Sequence, residues 1–424
     1  MKDPLLKKFI KNNIIILILV NSSSIFNYLF QLVIGRSLTP IDYGIFNSLL
    51  ALGAFISSPC SIIHIVFSRF IVKLSVSGLG HIKSLLIKSL KGALSIGCGL
   101  CCLGLISIPW IKEYFHLKDT TPVIIMLAGI SIAFVAPLLF AMLEGLHRFT
   151  LFGLGSFSYT VSRFLGVLVL VALLGWGVEG AFLALFIASG ISIIYGLFCL
   201  KDVFKSKSED LPHNTFGEMG YYFIPVFFST LMIMIMGNFD IALVRHYCTP
   251  EEAGLYASAA IIGRIAFSLP SALLIVLFPT AAKDHAKGEQ NSSVLLITFG
   301  ITILLGATIS FIFYIWPEHV ITFLFGNKYQ EAAPLLQKIG LSMALLASAN
   351  VVFSYKLARS EFIYLWILTT ASIIMLGLTL FFHETAMDIA NNLILATGTA
   401  FLGALSLVLF QFKLNLNSIN RKTP

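Results

Sequence analysis

Twelve stretches of about 20 apolar residues dominate this chain, and each has the length a helix needs to cross the hydrocarbon of a bilayer. They lie near 14–35, 44–67, 91–111, 122–143, 151–175, 178–200, 220–244, 254–280, 293–315, 334–354, 362–382 and 390–412. Lipid offers no hydrogen-bond partners to a backbone, so spanning segments must be helices or a closed barrel. The alternating ten-residue pattern of barrel strands is absent. With 58% hydrophobic and 11% charged residues, a soluble domain around one core is excluded. The fold class expected is an all-α polytopic membrane protein of about 12 transmembrane helices.

Lysine and arginine set the orientation. Lys7, Lys8 and Lys11 precede an apolar run that continues to Ile34 with no small-residue cleavage site, which reads as a retained anchor. With the N-terminus inside, 20 of the 28 basic residues fall on cytoplasmic segments and 5 in outside loops. Both termini are then cytoplasmic. The net charge of +8 is a topology signal, and no nucleic-acid partner is expected.

The longest polar connection, Lys201 to Glu218, divides six helices from six. The expected organisation is an N-terminal lobe of helices 1 to 6 over 1–205, a cytoplasmic linker over 206–219 and a C-terminal lobe of helices 7 to 12 over 220–424. The lobes read as a parallel repeat. Thr39-Pro40, Gly44, Phe46 and Gly53 recur 210 residues later as Thr249-Pro250, Gly254, Tyr256 and Gly263. A one-residue insertion then maps Ser57, Pro59 and Phe67 onto Ser268, Pro270 and Phe278, and Pro122 maps onto Pro334. Transporters built from such repeats place substrate between them.

Polar residues inside the spans mark candidate cavity faces. Ser23, Asn27 and Gln31 share one face of the first helix, and Ser57, Ser61, His64 and Ser68 one face of the second. The alternative is ordinary interhelical hydrogen bonding. Charges are sharper, because an arginine at a helix centre costs about 2.5–3.5 kcal/mol to insert and so implies water or a partner. Arg163 lies midway along the fifth span, and Arg264 lies in the eighth with Ser268 on its face. Both are candidate substrate-binding residues of a cationic cavity, since guanidinium groups hold phosphate or carboxylate oxygens. Their alternative is a structural pair with a carboxylate. Asp240 sits near the outer end of the seventh span, within reach of Arg245. Pro59, Pro137, Pro225 and Pro270 should bend their helices, the repeat-related Pro59 and Pro270 at the same place in each lobe.

The six cysteines, including Cys98-x-x-Cys101, have no companion cluster that would make a metal site, and no phosphate-binding G-x-x-x-x-G-K-[ST] loop is present. No catalytic residues, metal or cofactor are expected.

Several stretches resemble the polysaccharide biosynthesis or oligosaccharide flippase family, O-antigen-flippase-like, of the multidrug, oligosaccharidyl-lipid and polysaccharide (MOP) exporter superfamily. They are Leu38-Thr39-Pro40 with Tyr43-Gly44 and Phe46, Ser68-Arg69-Phe70 before Lys73, and Glu144-Gly145-Leu146-His147-Arg148-Phe149. In the second half they are Asp240, Thr249 to Tyr256, Phe278-Pro279 and Phe325 to Leu336. The resemblance implies two six-helix lobes moving by alternating access in a bacterial cytoplasmic membrane. It implies a flippase, not an enzyme, carrying undecaprenyl-diphosphate-linked oligosaccharide for O-antigen, capsule or exopolysaccharide, beside a polymerase and other assembly proteins. Arg163 and Arg264 would hold the diphosphate or acidic sugars, and Asp240 or His64 would couple transport to a Na+ or H+ gradient. A multidrug or cation antiporter of the same superfamily is the alternative, with a membrane polysaccharide polymerase or ligase behind it.

Overall fold

The computed structural model describes residues 4–75, 79–211, 215–271, 273–274, 277, 281, 293–359 and 361–420. At 4–18, 20–21, 61, 65, 69, 72–73, 75, 215–216, 221–222, 225 and 411–420 only the backbone is described. All regular structure among the described residues is helical. The helices are α1 (Pro4–Ser37), α2 (Pro40–Ile56), α3 (Ser58–Ser75), α4 (Leu79–Ile106), α5 (Ile108–Tyr114), α6 (Thr121–Ala133), α7 (Val135–Gly145), α8 (Phe149–Val167), α9 (Gly177–Cys199) and α10 (Lys201–Lys205). They continue as α11 (Thr215–Tyr247), α12 (Pro250–Gly263), α13 (Ile265–Ser271), α14 (Ser293–Ile315), α15 (Pro317–Phe325), α16 (Ala333–Ala358), α17 (Tyr364–Phe381) and α18 (Ala386–Asn420). Among the described residues, 10 helices are long and apolar enough to cross a membrane, and 11 if the bent pair α2–α3 is one span. The remaining expected segment, 14–35, falls on α1.

The chain divides into two compact units, Met1–Phe227 and Phe228–Pro424. In the first, α3 packs on α7, α4 on α6, α9 against α6 and α8, and α1 along α8. In the second, α12 and α13 pack on α16, α14 on α16, and α18 against α16 and α17. Each unit thus seats its second, third and sixth spans on its fourth.

The repeat is also visible in how helices begin. Thr39 and Thr249 are N-caps with nearly the same backbone, φ −69° and ψ 159° against φ −65° and ψ 155°. Each hydroxyl accepts from the backbone N–H three residues on, at 3.1 Å from Asp42 and 3.3 Å from Glu252. Proline follows in both because its fixed φ suits the first helical position, where no N–H is needed.

The breaks in the spans do not fully repeat. Helices α2 and α3 meet at Ser57 with a bend of 50°. Helices α12 and α13 meet at Arg264, which the 210-residue spacing aligns with Ala54. The second unit therefore breaks about one turn earlier than the expectation of a common hinge allows. Pro59 sits at the second position of α3 and Pro270 lies inside α13, so neither proline is itself the break. Helices α6 and α7 part at Phe134, where Pro137 has no N–H to offer the carbonyl of Ala133. Pro225, Phe278 and Pro279 lie outside the described side chains.

The polar connection after α10 is not a free tether. The Lys83 ammonium donates to the Ser206 carbonyl at 2.6 Å, and His81 Nδ1 lies 2.7 Å from the carbonyl of Asp210. Residues 206–210 are thereby clasped to the first two turns of α4, within the first unit.

Candidate functional site

Helix α8 carries Arg163 into the interior of the first unit, beside α1. Its guanidinium lies 4.1 Å from the centre of the Phe30 ring and 5.7 Å from that of Tyr159, so one aromatic face is a cation–π support. One NH2 group donates to Oδ1 of Asn27, one turn before Phe30 on α1. Among the described residues, no carboxylate is paired with Arg163, and nothing accepts a hydrogen bond from its buried Nε.

Arg163 opens onto two cavities. The larger, of about 650 Å³, is lined from α1 by Ser23 and Asn27, from α3 by Cys60 and His64, and from α9 by Ser189 and Ser192. Phe140, Phe152 and Tyr159 give it aromatic walls. His64 Nε2 lies 2.8 Å from Oε2 of Glu144 at the end of α7. Ser192 is 2% exposed, and its hydroxyl finds no partner among the described residues. The smaller cavity, of about 210 Å³, is lined by Ala54, Ser57 and Arg163.

In the second unit the charges are arranged differently. Asp240 on α11 is 0% exposed and accepts from the Arg264 NH2 at 2.9 Å and from the Tyr256 hydroxyl at 3.0 Å. Arg264 Nε donates to the Gly237 carbonyl at 2.7 Å. Of the two readings open for Arg264, substrate contact or a structural pair with a carboxylate, the geometry is that of the pair, with Asp240 as the partner across the break after Gly263. A buried carboxylate is tolerable only when so paired. At the repeat-equivalent positions the first unit has Phe30, Phe46 and Ala54 in place of Asp240, Tyr256 and Arg264. The rings of Phe30 and Phe46 are 6.1 Å apart.

The remaining expected residues separate. Gln31 accepts from the Tyr43 hydroxyl at 3.3 Å and does not line the larger cavity. Ser57 caps α2, with its hydroxyl donating to Gly53 at 2.7 Å. Ser268 is exposed on α13, and the Ser61 side chain lies outside the described residues. Sequence reasoning missed Ser192 and the role of Glu144. The signal for Glu144 was its place in the Glu144-to-Phe149 stretch; Ser192 had none, being one serine in an apolar helix.

That stretch earns its form structurally. Helix α7 ends at Gly145, His147 takes a left-handed φ of 56°, and Arg148 then reaches back to Asp202 with both guanidinium NH2 groups. It also donates to the Cys199 carbonyl at 3.0 Å. Arg148 holds the Asp202 carboxyl below the usual aspartate range by hydrogen bonding to its charged form. Groups of three or more His, Cys, Asp or Glu that could hold a metal are absent among the described residues.

Bent spans around a hydroxyl-lined pocket that holds Arg163 are the architecture of a membrane transporter. Its fold is that of the MOP exporters. The chain superposes on a multidrug resistance MATE family transporter of the MOP superfamily with a TM-score of 0.79, at 13% identity over 95% of this chain and 96% of that one. It superposes on the lipid II flippase MurJ with a TM-score of 0.69, at 16% identity over 96% and 91%. Residues 10–285 match the model of the polysaccharide biosynthesis protein family, and the chain belongs to that family. It is 27% identical over 204 residues to the succinoglycan biosynthesis transport protein ExoT of Rhizobium meliloti (strain 1021), covering 46% of this chain and 40% of that protein.

Proposed function

We propose that this chain flips undecaprenyl-diphosphate-linked oligosaccharide across a bacterial cytoplasmic membrane, with both termini cytoplasmic, by alternating access of two six-helix lobes over 1–205 and 220–424. The observation that carries the reading is the cavity of about 650 Å³ around Arg163. It holds one guanidinium without a carboxylate partner among the described residues, which suits an anionic, hydroxylated cargo. Family membership and the names of the relatives support the same reading. An exporter of cationic drugs would want an unpaired carboxylate in that pocket, whereas Glu144 beside it is taken by His64.

The proposal assigns substrate contact to Arg163 with Asn27, and gives Arg264 the task of holding α12 to α11. It needs no catalysis and no cofactor, only a Na+ or H+ gradient. The His64–Glu144 pair on the pocket is the coupling candidate, because Asp240 is already engaged by Arg264. Beyond cargo and lipid, a polysaccharide polymerase and other assembly proteins are the partners proposed.

The test is transport of labelled lipid-linked oligosaccharide by the purified full chain in liposomes, under imposed Na+ or H+ gradients. Translocation that falls in Arg163→Gln at equal reconstitution supports the reading. Export of a cationic dye with no movement of the lipid would replace it with the antiporter.

A further inference from the structure

Helix α14 exposes an apolar row on one side and buries the other. Ile297, Leu304 and Phe311 recur every second turn and are exposed, while Leu295, Thr302 and Phe313 are buried against the unit. In a span, the exposed row faces acyl chains. It does not end with the helix: Tyr314 and Trp316 are 69% and 53% exposed where the span stops, and Phe323 on α15 is 78% exposed. Tyrosine and tryptophan are the residues that settle at the boundary between lipid and water.

Trp316, at φ −124° and ψ 46°, breaks the chain out of α14, and α15 starts at Pro317. At about 3.6 residues per turn, α15 divides lengthwise into three sectors. Ile321 and Phe325 face inward, where α15 packs on α12, and both are buried. Glu318, Thr322 and His319 follow one another around one flank, with Glu318 and His319 exposed. Phe323, Val320 and Leu324 make the other flank, with Val320 and Leu324 half-buried. Gly326 then closes the helix with a left-handed φ of 91°. A helix on a soluble surface needs two sectors, one for the core and one for water. A third, apolar and turned outward, needs a second apolar phase.

The charges around α15 balance. Glu318 and Glu331 stand against Lys328 and Lys338, and the Gln330 side chain donates to Oε2 of Glu318 at 3.2 Å. No cationic excess is present on this flank to select anionic lipid.

We infer that α15 is an interfacial helix, lying along the membrane surface where α14 and α16 end, with Phe323, Val320 and Leu324 seated at the boundary of headgroups and acyl chains irrespective of headgroup charge. The proposed topology makes this the outer surface. The inference goes beyond the flippase reading and uses only the spanning character of α14 and α16. Its consequence is mechanical. The Gln337 side chain donates to the Tyr314 carbonyl at 2.9 Å, so the end of α14 is tied to the first turns of α16, and α15 sets the depth of the helix on which the second unit is seated.

The experiment uses the full chain in phosphatidylcholine vesicles, with Trp110, Trp176, Trp316 and Trp366, all exposed, replaced by phenylalanine. Phe323→Trp and, separately, Glu318→Trp then supply one fluorophore each. Lipid brominated near the headgroup end of its acyl chains should quench Phe323→Trp about threefold or more above Glu318→Trp, and aqueous iodide should reverse the order. Mixing in phosphatidylglycerol should change neither. Iodide quenching both variants alike overturns the inference in favour of a helix standing in water. Protection of Phe323→Trp from bromine and iodide together overturns it in favour of a covering protein, whether a second copy or a partner. Bromine quenching that needs phosphatidylglycerol overturns it in favour of headgroup recognition. Should the background without native tryptophan fail to fold, Phe323→Glu and Phe323→Leu in the natural chain decide: the first should lower the unfolding temperature in vesicles by a few degrees and the second should hold it, whereas equal values overturn the inference. None of these readouts needs transport, so loss of the flippase reading and loss of the interfacial helix are told apart.

Discussion

The guanidinium of Arg163 lies over the ring of Phe30, 4.1 Å from its centre, and Phe30 stands at the position that the 210-residue repeat assigns to Asp240. In each unit an arginine rests on that position, but by different chemistry. A ring supports a cation by about 0.5–2 kcal/mol without cancelling its charge, whereas a carboxylate cancels it. The first unit thus keeps a usable cation where the second has spent one.

It follows that Phe30→Asp should convert Arg163 into a paired arginine. Transport of lipid-linked oligosaccharide in liposomes is expected to fall about tenfold or more, the cost of losing one charge-assisted contact. Phe30→Leu should stay near the wild-type rate. Wild-type transport by Phe30→Asp at normal membrane abundance would show that the charge of Arg163 is not used.

Arg264→Ala should act on stability before transport. It strands the carboxylate of Asp240 at 0% exposure, and breaking one side of a buried pair costs about 3–5 kcal/mol. Membrane abundance and the unfolding temperature in detergent should both drop. Adding Asp240→Phe and Tyr256→Phe rebuilds the residues that the first unit uses at these positions and should recover most of the loss. An Arg264→Ala protein as stable as wild type would refute the structural assignment.

What could be read from sequence follows the range of the interactions involved. The spans depend on residues within a turn or two, so composition and spacing announce them. The Arg264–Asp240 pair joins two helices across 24 residues and depends on a break after Gly263 that no local proline causes. Asn27 and Arg163 are 136 residues apart, and only the packing of α1 along α8 brings them together. Ser192 became informative only once burial showed its hydroxyl to lack a partner.

The fourth span of each unit approaches a glycine of the second, with unequal room. A Cβ on Gly53 would lie 3.4 Å from Sδ of Met126, an ordinary contact. On Gly263 it would lie 2.8 Å from Cγ2 of Ile339 and 3.3 Å from the Gly340 nitrogen, so helices α12 and α16 would have to separate. Gly53→Ala should leave the unfolding temperature within error or raise it slightly. Gly263→Ala should cost about 1–3 kcal/mol as an overpacked substitution, and equal behaviour of the two variants would contradict this packing.

The Arg148–Asp202 pair gives a pH-dependent prediction outside the spans. Arg148 lowers the Asp202 pKa from its usual value, so the stabilisation is fully present above about pH 3.9 and is lost as pH falls through the lowered value. Both side chains are partly exposed, so solvent screening limits the pair to about 0.5–1 kcal/mol. Asp202→Asn should therefore lower the unfolding temperature slightly at pH 7, and its deficit should close as pH is taken down past the ordinary aspartate range. Arg148→Gln should cost more at every pH, because the Cys199 carbonyl loses its donor as well. A deficit of Asp202→Asn that is the same at pH 7 and in acid would mean that the carboxylate's charge contributes nothing and that only the shape of the hydrogen bond matters.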